Sequence, residues 1–276
     1  MQTPRSILLH LDSSARTVER IQLARLLAET FDAQVTAQPC TLSSLMRYPL
    51  AIEGTAESEA MAIMQSLDYE ARERMHATFT AHTVGSQRMH WSQPLPDAPW
   101  GFARRALYAD LMVMGQRDRN DPFDAELPGD FLTHALVESG RPALVLPCVG
   151  PVAPVGRTVL VAWKATRESA RAVTASLPWL RAASRVHAVS YGGEAETSLQ
   201  ALSGYLRPQG IAEPTLHFGD RDEGDVGNRL LSLAADLGAD LLVMGCYGHS
   251  RAREWVMGGA TQSMLQSMTL PVLMSH

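Results

Sequence analysis

Short apolar runs alternate with segments of helical periodicity along this chain. The first run, residues 7–11, shows no alternation of polar and apolar positions, as expected for a strand covered on both faces. In the segment after it, Leu23, Leu27 and Phe31 recur at the spacing of one helix face. Strands that alternate with helices in this way predict a parallel sheet with helices on both of its faces.

The same pattern predicts ten strands, five in each half of the chain. They are expected at residues 7–11, 34–38, 88–92, 111–114, 143–146, 159–162, 186–190, 215–218, 241–244 and 272–274. Helices are expected between them, the clearest at residues 57–81, 102–108, 168–182, 196–206, 226–237 and 260–268.

The two halves of the chain repeat each other. The phrase ADLMVMG at residues 109–115 recurs as ADLLVMG at residues 239–245. The opening phrases SILLHLD and TVLVAWK and the closing phrases RPALVL and LPVLM correspond in the same order. A length of 276 residues suits two domains. We therefore predict a duplication, with domains at residues 1–147 and 155–276 and a proline-rich linker at residues 148–154.

The composition and the net charge of the chain indicate which classes of binding partner and which cellular compartment to expect. A net charge of −5 favours neither nucleic acid nor an anionic membrane surface as a partner. No apolar run reaches the roughly 18 residues of a membrane span, and the first strand is too short for a signal-peptide core. Cys40, Cys148 and Cys246 are too widely spaced for a disulfide framework or a paired zinc site, which predicts a cytoplasmic protein.

A glycine-rich segment follows the strand predicted at residues 241–244. Gly245, Gly248 and Gly258-Gly259 stand between this strand and a helix that carries Thr261 in its first turn. Glycines at the carboxyl end of a parallel strand let the backbone approach a ligand, and the first turn of a helix offers free N–H groups to an anion. The segment therefore predicts a phosphate site. The alternative is a tight turn and a helix entry without a ligand.

The spacing Gly245-x2-Gly248-x9-Gly258 resembles the G-x2-G-x9-G-[S/T] signature of the universal stress protein family. Gly248-His249-Ser250-Arg251 and the repeated phrase at residues 239–245 make the resemblance specific, and it covers the chain as two successive domains. It implies an α/β fold of two tandem open parallel five-stranded sheets, each of order 3-2-1-4-5 with helices on both faces. It also implies that the domains pair as a pseudo-dimer through their last strands.

ATP-binding members of this family hold phosphate and ribose at the glycine signature, so the resemblance implies ATP or a related adenine nucleotide, with or without Mg²⁺. By matching position, the contacts would come from one set of residues in the second half. These are Ala162, Trp163, Lys164, Val189, Met244, Gly245, Gly248, His249, Arg251, Gly258, Gly259, Ala260 and Thr261. No metal site made of protein ligands is expected, because His187 and His217 lack a cysteine or acid at metal spacing.

Two positions of the second half depart from the family pattern. Gly259 replaces the Ser or Thr of the signature, and Lys164 replaces the acid that family members carry after the first strand. Lys164 could reach a phosphate or simply be a solvated strand end. Trp163 could stack on a base or belong to the core.

The first half departs further from the pattern. Asp118 and Asp130 stand where the second half has Gly248 and Gly259. Carboxylates at a helix entrance repel a phosphate, so we expect no nucleotide in the first half, although Asp12 retains the family's acid.

These observations favour a nucleotide-binding stress-response or signalling protein with little or no turnover and its site in the C-terminal half. The alternative is an interaction or regulatory protein with a vestigial loop that binds no nucleotide. The highest enzymatic activity that we expect is that of a slow ATPase. Hydrolysis would need a metal-binding acid near the phosphates, which would have to come from Asp220, Asp222 or Glu254. The protein partner stays unspecified, and a homodimer of chains stays open beside the intramolecular pairing.

Overall fold

The structure, a computed structural model, describes residues 3–48, 55–150, 155–219, 225–248 and 259–276. The chain forms two compact units, an N-terminal unit of Pro4–Ser139 and a C-terminal unit that contains Gly140–His276. The domain boundary at residue 147 stays a prediction, and the predicted linker falls partly outside the described residues.

The N-terminal unit follows the predicted alternation of strands and helices. Its elements are β1 (Ser6–Leu11), α1 (Thr17–Phe31), β2 (Gln34–Pro39), α2 (Ser44–Arg47), α3 (Thr55–Thr83), β3 (Met89–Trp91), α4 (Gly101–Ala106), β4 (Leu111–Gly115) and α5 (Phe131–Glu138). The strands are parallel neighbours in the order β3-β2-β1-β4. The short helices α2 and α5 were not among the predicted elements. With four residues in α2 and a largely apolar α5, neither helix shows a clear helical period in the sequence.

The C-terminal unit repeats this plan. Its elements are β5 (Ala143–Leu146), β6 (Thr158–Ala162), α6 (Arg167–Ala182), β7 (Arg185–Tyr191), α7 (Ala195–Leu206), β8 (Thr215–Gly219), α8 (Val226–Leu237), β9 (Leu241–Gly245), α9 (Ala260–Ser267) and β10 (Val272–Ser275). The strand order is β5-β10-β9-β6-β7-β8, and every neighbouring pair is parallel except β5 with β10.

The strands of the second repeat have the predicted order 3-2-1-4-5. The last strands of the two repeats, β5 and β10, pair as predicted, and the structure shows that they run antiparallel, with Leu144 opposite Leu273. Because of this pairing β5 belongs to the C-terminal unit. Among the described residues this unit therefore holds six strands, while the N-terminal unit holds four instead of the expected five. Central-strand residues such as Leu9, Val113 and Val243 are fully buried, which explains why their strands lack alternation.

No helix among the described residues is long and apolar enough to span a membrane. The cytoplasmic location stays a prediction.

An aspartate in the repeated phrase performs the same task in both units. The carboxylate of Asp110 accepts hydrogen bonds from the backbone N–H groups of Arg5 and Ser6 at 2.9 and 3.0 Å. Asp240 accepts hydrogen bonds from the N–H groups of residues 156–158 at 2.8–3.2 Å. Each aspartate thus ties the start of its repeat's first strand to the start of its fourth strand.

We expect Asp110→Ala and Asp240→Ala each to destabilise the protein by about 1–2 kcal/mol, because each removes at least two hydrogen bonds to a strand end. Differential scanning calorimetry measures the effect, with Asp236→Ala on the exposed side of α8 as the matched control. Equal melting temperatures for all three variants would contradict this role.

A buried histidine lies beside an ion pair in the N-terminal unit. His10 is 1% exposed and packs against the rings of Phe102 and Phe131, at centroid distances of 5.8 and 4.9 Å. Burial lowers the pKa of His10 to about 4 from 6.5; Asp12 opposes this shift and Arg20 adds to it. The imidazole is therefore neutral at physiological pH.

The N-terminal unit should lose stability as the pH falls from about 6.5 to about 4. In this window the unfolded chain binds a proton that folded His10 excludes, at a cost of up to about 3 kcal/mol. We expect His10→Leu to flatten the pH dependence of the unfolding free energy in urea titrations. The matched control is His76→Gln, which replaces an exposed histidine of α3. A His10→Leu variant with the wild-type pH profile would refute the assignment.

Candidate functional site

A cavity of about 1230 Å³ lies at the carboxyl ends of β6, β7 and β9. The strands β6 and β9 are neighbours in the sheet. The strand that follows β6 along the chain, β7, lies on one side of this pair, and the strand that follows β9, β10, lies on the other side. Ligands of open α/β sheets bind where connections diverge in this way. The volume exceeds the roughly 300–1,000 Å³ of most small-molecule sites, so it can hold a ligand the size of a nucleotide.

Ten of the thirteen residues expected at the nucleotide line this one cavity. They are Ala162, Trp163, Lys164, Val189, Met244, Gly245, Gly248, Gly259, Ala260 and Thr261. The other three, His249, Arg251 and Gly258, lie outside the described residues, as do Asp220, Asp222 and Glu254.

Gly245 and Gly248 allow a close approach of α6 to the end of β9. A Cβ atom on Gly245 would lie 2.5 Å from the backbone nitrogen of Ser169 and 2.7 Å from the carbonyl carbon of Glu168. A Cβ atom on Gly248 would lie 3.0 Å from Oε2 of Glu168. These glycines therefore have a packing role, which the sequence analysis, concerned with ligand approach, did not foresee.

The start of α9 forms a second wall of the cavity. Gly259 is the N-cap residue and offers no side chain to the first turn of the helix. The Thr261 hydroxyl, expected at a phosphate, accepts a hydrogen bond of 3.3 Å from the backbone N–H of Tyr247, and Thr261 is 5% exposed. Tyr247 itself has a φ of +54°, an uncommon conformation for a residue other than glycine. The Thr261 hydroxyl thus anchors the loop that follows β9.

Aromatic side chains line the far side of the cavity. The indole N–H of Trp163 donates to Oγ of Ser198 at 2.8 Å, and its backbone N–H donates to the carbonyl of Val189 at 2.8 Å. The Tyr191 ring lies 4.1 Å from the guanidinium of Arg229, within cation–π distance. Neither Tyr191 nor Ser198 was expected at the site from the sequence, although Tyr191 stands directly after a predicted strand, which was the available signal.

Lys164 lines the cavity and is exposed.

A buried carboxylate at the start of α6 was also missed. Glu168 is 2% exposed and follows Thr166, the N-cap residue of the helix. Burial raises the pKa of Glu168, but hydrogen bonds from Arg167, from its own backbone N–H and from Thr166 outweigh it and hold the pKa below its ordinary value. Glu168 is therefore ionised at neutral pH.

The corresponding region of the N-terminal unit is filled by side chains. Arg20 of α1 is 2% exposed; its guanidinium donates to the Asp12 carboxylate and to the Thr17 hydroxyl. A Cβ atom on Gly115, the counterpart of Gly245, would collide with this guanidinium. Asp130 is the N-cap residue of α5.

The strands β7 and β8 bring two histidines together. Nδ1 of His187 lies 3.1 Å from Nε2 of His217. Among the described residues, no group of three or more histidines, cysteines and acids could hold a metal ion.

Residues 180–276 match the sequence model of the universal stress protein family. No curated protein matches the chain. Among solved structures, a universal stress protein from Archaeoglobus fulgidus DSM 4304 is 16% identical, with a TM-score of 0.75 over 99% of this chain and 96% of that chain. A putative universal stress protein from Pseudomonas aeruginosa UCBPP-PA14 is 17% identical, with a TM-score of 0.61 over 99% and 94%. A functionally unknown protein from Pseudomonas aeruginosa PAO1 is 16% identical, with a TM-score of 0.62 over 99% and 93%.

The three structures share the fold of this chain, and the family match covers residues 180–276. Over almost its whole length the chain therefore has the fold of the Archaeoglobus fulgidus universal stress protein, and residues 180–276 are similar in sequence to the universal stress protein family.

Proposed function

We propose that the C-terminal unit binds ATP or a related adenine nucleotide and acts in stress response or signalling with little or no turnover. One observation carries this proposal. Gly245, Tyr247 and Gly248 at the end of β9, the start of α9 and the ends of β6 and β7 line one cavity large enough for a nucleotide. The cavity lies at the sheet position where α/β proteins bind such ligands.

The phosphates would lie at the start of α9. Gly259 leaves the first turn of the helix without a side-chain cap, so backbone N–H groups are available to an anion there. The helix dipole adds a favourable interaction with negative charge at this end. Gly245 and Gly248 themselves add no side chain to the cavity wall.

The base would lie against the aromatic wall. Trp163 is held by its hydrogen bond to Ser198, and Tyr191 is held against Arg229, so both rings present fixed apolar surface to the cavity. Fixed aromatic surfaces bind a planar base at little cost in side-chain entropy.

One nucleotide per chain is expected. In the N-terminal unit the ion pair of Arg20 with Asp12 occupies the corresponding space, and Asp130 places a carboxylate at the start of α5. A phosphate would have to displace the first group and would be repelled by the second.

Low turnover is proposed because two acids of the cavity wall have structural partners. Asp225 accepts a hydrogen bond of 2.9 Å from the N–H of Gly227 and so caps α8. Glu168 pairs with Arg167. Neither carboxylate is poised as a general base for an attacking water.

The alternative, an interaction protein with a vestigial loop, is favoured by one contact. The Thr261 hydroxyl, the only hydroxyl expected at the phosphate, is engaged by Tyr247. Mass spectrometry of the purified protein distinguishes the two functions. A nucleotide-binding protein should carry a co-purified nucleotide or acquire one on incubation with ATP, whereas a protein with a vestigial loop should do neither.

Substitutions at Gly259 test ATP binding while they preserve the helix that follows. Gly259→Asp adds a residue that caps helices well, so we expect α9 and the melting temperature to be preserved. The same carboxylate would face the phosphates, so the Kd for ATP in isothermal titration calorimetry should rise at least about tenfold. Gly259→Asn, of the same size but uncharged, should bind ATP more tightly than Gly259→Asp.

Equal affinity in the Asp and Asn variants would show that the phosphates do not lie at α9. The absence of saturable ATP binding to the unaltered protein would overturn the proposed function itself.

A further inference from the structure

We propose that the N-terminal unit contains a site for a small oxyanion beside Arg47, and that the carboxylate of Glu126 occupies this site as an internal ligand. Glu126 belongs to an acidic segment, residues 121–126, which follows β4. In the second repeat, the chain after β9 instead carries the glycines of the predicted phosphate site. The oxyanion site exists whether or not the C-terminal unit binds a nucleotide.

The acidic segment lies across the carboxyl ends of β1 and β2. The carboxylate of Asp121 accepts a hydrogen bond of 3.0 Å from the backbone N–H of Ala15, in the connection from β1 to α1. The carbonyl oxygen of Glu126 accepts a hydrogen bond of 2.7 Å from the N–H of Leu42, which follows β2. Open α/β sheets bind their ligands at this end of the strands. The segment therefore covers the ligand-binding end of its own sheet.

The second repeat has a cavity at the corresponding place. The strand registers of the two repeats align Ser13 with Ala165 and Leu42 with Gly193. Both Ala165 and Gly193 line the C-terminal cavity. The acidic segment of the first repeat thus contacts the counterparts of residues that surround a cavity in the second.

The burial of the Glu126 carboxylate is incompletely compensated. Glu126 is 3% exposed, and its Oε1 lies 3.7 Å from Nη1 of Arg47, beyond the about 2.8 Å of a charge-assisted hydrogen bond. Its Oε2 has no hydrogen-bond partner among the described residues. Burial raises the pKa of Glu126, and the nearby side chains of Ser13 and Arg47 oppose this shift only in part. The carboxylate fills the space of an anion without satisfying the groups around it.

The guanidinium of Arg47 is the receptor of the site. Its Nε is buried and has no hydrogen-bond partner in the part of the chain that the structure describes. Its Nη2 donates to Oγ of Ser44 at 2.9 Å and lies 3.8 Å from the carboxylate of Asp68. A guanidinium with unused donors binds carboxylate and phosphate oxygens. Because Asp68 balances one side of this charge, we expect a small oxyanion to bind with millimolar affinity.

An internal ligand gives the two units different properties. Glu126 is covalently attached, so it occupies the site at every concentration of free anion and closes the N-terminal unit without an external ligand. The C-terminal unit has no such segment among its described residues, and its cavity is lined by glycines at the corresponding strand. Only the second repeat is therefore expected to respond to a ligand in solution.

Removal of the Glu126 carboxylate tests the site. In the full-length Glu126→Ala variant, the shortened side chain leaves room for a small oxyanion beside Arg47. We expect phosphate or formate, titrated separately at constant ionic strength, to raise the Tm of this variant saturably, by about 2 °C or more at ten times the Kd. A response to phosphate alone assigns the site to tetrahedral oxyanions, and a response to both anions assigns it to carboxylates as well.

Matched variants locate the response. Glu126→Gln keeps the size of the side chain and should exclude both anions. Glu126→Ala combined with Arg47→Gln removes the receptor and should lose the saturable response. Glu73→Ala removes an exposed carboxylate of α3 and should behave like the unaltered protein, which also corrects for the general stabilising effect of phosphate. Glu126→Ser leaves similar room and serves as a second variant if Glu126→Ala does not fold.

Hydrogen exchange of residues 116–130, followed by mass spectrometry, gives an independent measurement. Backbone exchange in this region should be faster in Glu126→Ala than in the unaltered protein, because the acidic segment has lost one of its attachments. Phosphate or formate should slow it again, since the bound anion restores the interaction with Arg47.

A folded Glu126→Ala or Glu126→Ser variant without a saturable response to either anion would overturn the proposal. An undiminished response in the double variant with Arg47→Gln would overturn it as well, and so would a failure of both variants to fold even in the presence of the anions. Loss of ATP binding in the same variants would bear on the proposed function of the C-terminal unit and is measured separately by calorimetry.

Discussion

The architecture of the site depends on one feature of the sheet, the divergence of the chain at the carboxyl ends of β6 and β9. These neighbouring strands lead away in opposite directions, so the helices that follow them do not cover the same place. The resulting crevice is narrowed where the first turn of α6 touches Gly245. A side chain at that position would collide with the backbone of α6 at Glu168 and Ser169.

The same plan, used twice, gives two different outcomes. Both repeats attach their first strand to an aspartate, Asp110 or Asp240, because that bond serves the sheet in either half. The ends of the first strands differ. When Asp12 is aligned with Lys164, Arg20 aligns with the small buried residue Ala172. A buried arginine needs a partner, and Asp12 supplies it. The ion pair that fills one crevice therefore has no counterpart in the other.

Charge in the C-terminal cavity is held in place by neighbouring groups. The start of α9 has no side-chain cap, so its backbone favours an anion. The buried carboxylate of Glu168 on the cavity wall is engaged by Arg167, by its own N–H and by Thr166.

The sequence by itself determined the duplication, the strand and helix positions and the glycine loop, because local periodicity and turn chemistry are written in neighbouring residues. It also determined which side chains stand at strand ends, and ten of the thirteen expected site residues indeed line one cavity. Only the tertiary structure decided the rest. The packing of Glu168 on Gly248 joins residues 80 positions apart, and the antiparallel direction in which β5 pairs with β10 involves segments more than 120 residues apart. Such contacts depend on how helices and strands are stacked, which no local pattern encodes.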